Sequence, residues 1–155
     1  YKHQGSWTKN TMMKSKIVLQ ALNEHDKDVI WIDADAIVKR NPELFYSLSS
    51  ENIDLCCHFL KTNYNPRELL TGTFFFKNNT IVKKLVKEWS ELKNVAWDQR
   101  LLQSLIDGKY KEKLKIKELP IEYIKIKPKR QKLENMDFVI GHKQVSREQR
   151  KVLGR

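Results

Sequence analysis

Met13, Ile17 and Ala21 lie on one helical row and Met12, Leu19 and Leu22 on another, which predicts a helix over 11–23 with Asn10 as its N-cap. Val29 to Ile32 is a short apolar run rich in β-branched and aromatic residues, as a buried strand requires. Asn41-Pro42 breaks the chain and starts a short helix through Leu48. Two more strands are expected over 53–59 and 71–77, the second carrying Phe74, Phe75 and Phe76, which read as core. Asn79 caps a helix in which Val82, Leu85, Val86, Trp89 and Leu92 follow the i, i+3, i+4, i+7 rule. A further helix is expected over 97–107, with Leu101, Leu102, Leu105 and Ile106 inward and Gly108 as its stop. The alternation over 113–117 predicts a strand with one wet face, and 123–127 another. A basic loop follows around Pro128, over 127–132. A last strand over 138–140 ends at Gly141-His142, and Ser146 caps a basic C-terminal helix. Helices alternate with strands, without internal repeat or linker. The expectation is one α/β domain over 1–155 with a mixed sheet.

A chain of 155 residues can bury a real core. No stretch approaches the roughly 20 apolar residues of a transmembrane helix, and no signal peptide is visible. Lys and Arg number 30 against 19 Asp and Glu, a net charge of +11. That balance points to polyanionic partners or to a lysine-rich surface without one. Cys56 and Cys57 are adjacent within an apolar run, where strand neighbours face opposite ways, so a disulfide between them would be strained. Two free buried thiols fit a reducing, cytoplasmic compartment and a soluble or peripheral protein. No Cys/His spacing suggests zinc.

The candidate chemistry starts where the first strand ends. Asp33 and Asp35 follow Val29–Ile32 directly, and open α/β sheets place ligands at the carboxyl ends of strands. Strand alternation would send both carboxylates to one face, where both can reach one hard cation, and the small Ala34 leaves room for a ligand. Like charges this close are costly without a cation or strong donors. The bland alternative has one Asp capping the next segment and the other solvated. Context favours the metal: an apolar strand, D-x-D, the pair Ile37-Val38, then Asn41-Pro42-Glu43-Leu44-Phe45.

The run Trp31-Ile32-Asp33-Ala34-Asp35-Ala36-Ile37-Val38, followed by Asn41-Pro42 and Phe45, resembles the D-x-D region of GT-A fold glycosyltransferases, the nucleotide-diphospho-sugar transferase families related to glycogenin-like enzymes. The resemblance implies a GT-A-like, Rossmann-like mixed sheet flanked by helices. It also implies that Asp33 and Asp35 bind Mn²⁺ or Mg²⁺, which bridges the diphosphate of a sugar donor. Ser6-Trp7 and the segment Asn10 to Lys16 resemble the family's approach to that strand, where a lysine nears the donor; Lys14 matches it, or else is a solvated helix lysine. Leu70 to Asn78 resembles the strand whose start lines the sugar pocket, which implies a place there for Thr71 and for Gly72, whose missing side chain permits close approach. Trp97-Asp98-Gln99 resembles the element contacting the donor sugar near the reacting carbon, with Asp98 and Gln99 as catalytic candidates; a plain N-cap Asp98 is the alternative. Val139 to Arg147 resembles the C-terminal element in which a histidine, here His142, completes the metal site, while Lys143 and Arg147 hold the diphosphate. By the same resemblance the donor is a UDP-sugar and the acceptor a glycan or another molecule. Members usually carry an N-terminal strand–helix–strand portion that makes the base pocket. This chain starts just before the helix leading to D-x-D, so either a fragment or a compact variant is expected.

Two other classes compete. A basic nucleic-acid-binding module is motivated by the charge and by the 127–132 loop, but the lysines are spread out and no zinc-finger, RNP-like or basic-zipper pattern is present, so no specific nucleic acid is expected. A metal-dependent phosphoryl transferase or nuclease could use the same aspartates. The basic surface is a weak pointer to an anionic glycan or a phospholipid-linked acceptor.

Overall fold

The longest strand is buried on both faces and divides the core. Leu69, Phe74 and Phe76 face one cluster and Leu70 and Phe75 the other, each no more than 8% exposed, so the two-residue alternation holds within 69–70 and within 74–76 and breaks between them. We describe the protein from a computed structural model over residues 7–61, 67–92, 98–126 and 135–143, using only the backbone of 7–10. Ser6, Trp97, the 127–132 loop, the helix expected after Ser146 and Arg147 lie outside these residues.

The chain runs α1 (Trp7–Glu24), β1 (Val29–Ile32), β2 (Ala36–Val38), α2 (Leu44–Leu48), β3 (Leu55–Leu60), β4 (Glu68–Phe76), α3 (Thr80–Glu91), α4 (Asp98–Asp107) and β5 (Ile116–Glu118). A single 3₁₀ turn (Ile121–Tyr123), β6 (Lys125–Ile126) and β7 (Ile140–His142) follow. One mixed sheet has the order β1-β4-β3-β5, antiparallel except for β3 with β5. A smaller sheet has the order β2-β7-β6, with β2 antiparallel and β6 parallel to β7.

Helices α1, α3 and α4 cover one face of the larger sheet. There Val18, Leu22, Val82, Leu85, Val86, Trp89, Leu101, Leu102 and Ile106 pack on Leu55, Cys57, Leu69, Phe74 and Phe76. On the other face Cys56, Leu70 and Phe75 meet Phe45 and Leu48 of α2 and Leu119, Tyr123, Ile124, Val139 and Ile140. The adjacent cysteines thus serve opposite faces, both free and buried, and burial pushes the Cys56 thiol up to about 11, which disfavours the reactive thiolate.

Several elements differ from expectation. α1 begins at Trp7, so Asn10 is inside the helix and not its cap; an interior Asn costs only about 0.7 kcal/mol, too little to stop a packed helix. Asn79 does cap α3, its side chain accepting from Val82 N at 3.0 Å. The alternation at 113–115 belongs to a turn in which Lys113 N and Leu114 N both donate to Tyr110 O (3.0 and 3.2 Å), and the strand starts only at Ile116. β7 contains Gly141 and His142 instead of ending before them, because it pairs with β2, a strand that three residues of sequence did not announce.

One irregularity positions everything that follows. Along β3, Cys56 faces Phe75 but His58 faces Leu70, so residues 71–74 of β4 stand opposite Cys57 alone. This excess bows β4 away from β3 towards the end of β1, where Asp33 N donates to Gly72 O at 2.8 Å.

Truncating Phe75, about 1% exposed and packed on the α2 face, is expected to cost about 3–5 kcal/mol. Tyr46→Ala, at a residue 71% exposed, should stay within about 0.5 kcal/mol. Urea unfolding of both variants checks this; equal shifts would contradict the assignment of the core.

Candidate active site

β1 ends at Ile32 and β2 starts at Ala36, so Asp33-Ala34-Asp35 forms the turn between them, closed by Ala36 N donating to Asp33 O at 3.0 Å. The two carboxylates therefore converge through a tight turn. Strand alternation, the reason expected from sequence, is not what brings them together. β7 returns alongside, with His142 opposite Ala36 and Lys143 N donating to Asp35 O at 3.3 Å. As a result Asp33, Asp35 and His142 each place one ligand atom within 4.8 Å of the others.

The bowed part of β4 forms the floor. A Cβ on Gly72 would lie 2.9 Å from His142 Cε1 and 3.1 Å from its Nδ1, so the imidazole rests directly on the glycine backbone. The close approach that Gly72 permits is thus taken by His142. The ring is 5% exposed, and its Nε2 lies 2.9 Å from Thr73 Oγ1. Burial pulls the imidazole below its usual range, although the charges of Asp33 and Asp35 act in the opposite direction. A neutral ring that donates Nε2–H to Thr73, the tautomer assigned from this network, carries a lone pair on Nδ1. That nitrogen is buried without a hydrogen-bond partner and lies 3.7 Å from Asp35 Oδ1. A lone pair facing a carboxylate across that gap fits a cation: two hard oxygens and one neutral imidazole are an ordinary donor set for Mn²⁺ or Mg²⁺, and Thr73 fixes the ring from behind.

Lys14 occupies the opposite wall. It is not a solvated helix lysine: it is 8% exposed, and its Nζ donates to Thr71 O (3.0 Å) and Thr71 Oγ1 (3.2 Å). The same Nζ lies 3.0 Å from Asp33 Oδ1, 3.6 Å from Asp98 Oδ2 and 5.5 Å from the centre of the Trp31 ring. Trp31 Nε1 donates to Asp33 Oδ1 at 2.7 Å. Asp98, the first residue of α4, is 6% exposed, with Oδ2 lacking a hydrogen-bond partner. Burial raises its carboxyl above the ordinary range, and Lys14 is the main force in the other direction. Gln99 beside it donates from Nε2 to Glu68 Oε1 at 3.0 Å.

Lys14, Asp33, Asp35, Thr71, Gly72, Asp98 and His142 are thus gathered into one site. Ala34 is exposed at the tip of the turn and Lys143 is exposed just after β7. Thr73, Trp31 and Glu68 were missed from sequence. Thr73 gains its role only from His142, 69 residues away, and meets it on the side of β4 opposite to the contact of Thr71 with Lys14; Trp31 looked like core, and Glu68 had no marker.

A family model described as nucleotide-diphospho-sugar transferase matches residues 1–152. Among solved structures, a glycosyltransferase involved in glycosylation of the major capsid of the virus PBCV-1 superposes with a TM-score of 0.67 at 16% identity, covering 99% of this chain and 79% of that one. The glycosyltransferase GlyE of Streptococcus pneumoniae TIGR4 superposes with a TM-score of 0.55 at 16% identity, covering 85% of this chain and 36% of its own, so this chain spans about a third of GlyE. Both show the fold. A search of curated proteins finds no match.

Lys14→Met should cost about 3–5 kcal/mol at neutral pH, because it strands a buried carboxylate. Without Lys14, folded Asp98 holds its proton more tightly than the unfolded chain does. Stability should therefore rise as pH falls through the folded pKa towards the unfolded one, and the deficit should shrink towards acid. Denaturation midpoints of wild type and variant between pH 8 and pH 4 test this; a deficit independent of pH would refute the pairing.

Proposed function

The chain belongs to the nucleotide-diphospho-sugar transferase family, and from that premise we propose a divalent-cation-dependent glycosyltransferase that moves a sugar from a nucleoside-diphosphate donor to an acceptor, a glycan or another molecule. The observation that carries the cation dependence is the convergence of Asp33, Asp35 and His142 around an unpartnered Nδ1. Mn²⁺ or Mg²⁺ held by these three would supply Lewis-acid neutralisation of the diphosphate. In the transfer, the bond from the anomeric carbon to the diphosphate oxygen breaks and its electron pair leaves with the nucleoside diphosphate. The acceptor oxygen forms the new bond and releases its proton.

The remaining roles belong to the chain's own side chains. Lys143, with Arg147, adds positive charge beside the leaving diphosphate. Lys14 holds Asp33 and Asp98 in place and presents an ammonium towards the donor. Asp98 and Gln99 orient the sugar, and the Asp98 carboxylate favours positive charge at the anomeric carbon. Thr71 and Ala34 flank the donor pocket, and Gly72 acts there through the His142 ring that it carries. We take the donor to be a UDP-sugar from the likeness of the D-x-D region to glycogenin-like enzymes. No helix among the described residues is long and apolar enough to cross a membrane, and two free buried thiols favour a reducing compartment.

Two experiments test the reading. Incubation with a panel of nucleotide sugars should release nucleoside diphosphate only when Mn²⁺ or Mg²⁺ is present. Release of nucleoside monophosphate would indicate phosphoryl transfer, and release unaffected by a chelator would remove the cation. In calorimetry, Asp33→Ala and Asp35→Ala should lose Mn²⁺-dependent donor binding while keeping the circular dichroism of the fold. Thr73→Val, which deprives His142 of its Nε2 partner, should weaken Mn²⁺ about 10–100-fold; unchanged affinity in all three variants would refute the site.

A further inference from the structure

Helix α4 is fastened to the start of β4 by a polar stripe at four-residue spacing. Gln99 Nε2 donates to Glu68 Oε1 at 3.0 Å. One turn on, Gln103 accepts from Leu69 N at 3.0 Å and donates to Arg67 O at 2.6 Å, so its amide stands in for a neighbouring strand. One turn further, Asp107 is ion-paired with Arg67. The edge of β4 over 67–69 needs this substitute, because β1 pairs only with 73–76.

The first rung has a consequence for Gln99. An ionised carboxylate can only accept, so Glu68 dictates which end of the Gln99 amide faces it. One N–H is committed and the nitrogen end is turned to Glu68, so the carbonyl oxygen Oε1 at the opposite end is left as an acceptor, with no hydrogen bond to it found among the described residues. This rung lies one residue from Asp98, whose Oδ2 is 3.6 Å from Lys14. We infer that Glu68 is a positioning residue that locks the Gln99 amide with its oxygen towards the donor sugar, so that the enzyme selects sugars offering a hydroxyl, a hydrogen-bond donor, at that point. This rests on the proposed donor-sugar contact of Gln99 and adds to it the residue that sets its polarity.

The test uses the nucleotide sugar that wild type turns over and its monodeoxy analogues, comparing kcat/KM. Wild type should show one strongly discriminated hydroxyl. Glu68→Gln can present either its oxygen or its nitrogen, so Gln99 is free to flip and discrimination at that hydroxyl should fall about tenfold or more. The reversed pair, Glu68→Gln with Gln99→Glu, restores a committed donor at 68 and an acceptor oxygen at 99, and should recover the discrimination. A purely structural role would lower kcat for every donor alike, as expected for Gln103→Leu, which breaks the next rung without touching Gln99.

Discrimination unchanged in Glu68→Gln, or unrecovered in the reversed pair, overturns the inference while sugar transfer itself stands. A wild type that turns over no nucleotide sugar overturns both. Variants that fail to fold are replaced by Glu68→Asp, which keeps an acceptor-only group and should keep wild-type selectivity; selectivity lost in that variant also overturns the inference.

Discussion

One buried ammonium holds the site together. Lys14 Nζ meets a carboxylate at the end of β1, a backbone carbonyl and a hydroxyl on β4, a carboxylate at the start of α4 and the face of Trp31. A charge 8% exposed is tolerable only with such partners. The partners come from three elements, so satisfying this one group of α1 fixes its placement relative to β1, β4 and α4. Asp33, Asp35 and Asp98 converge near this ammonium. The proposed cation would join the same charge network, and burial of His142 favours the neutral form of its ring that a metal ligand needs.

The bow in β4 is the geometric counterpart of that charge. Within the stretch that β3 leaves out of register, Thr71 meets Lys14 and Gly72 O accepts from Asp33 N. Glycine is needed at 72 because an imidazole ring lies against it. A polar stripe on α4 then supplies what the unpaired edge of β4 lacks.

The long amphipathic segments were legible from sequence. α3 and α4 appear where their apolar spacing and Asn79 placed them, and β1 occupies the predicted residues. Period two explained the three phenylalanines as a strand buried on both faces. The family-level reading from Asp33-Ala34-Asp35 and its flanks agrees with the family match over 1–152. Short strands were poorly legible: β2 and β7 have three residues each, too few for a period to register, and they exist because they pair with each other across most of the chain. The same limit hid Thr73 and Glu68, whose significance comes from partners far away in sequence. The bow in β4 has no sequence marker except Gly72 between two threonines.

The pairing of β2 with β7 also bears on the order of assembly. Asp33 and Asp35 are in place once β1 and its turn form, but His142 arrives on the last described strand. Closing so long a loop is a slow, non-local event, and only its completion joins the third ligand to the first two. Anything that binds all three ligands together stabilises that closure selectively. Cation occupancy would therefore report that the chain has finished folding, and an intermediate with the helices and the larger sheet formed but β7 undocked would retain most of the core while lacking the complete site.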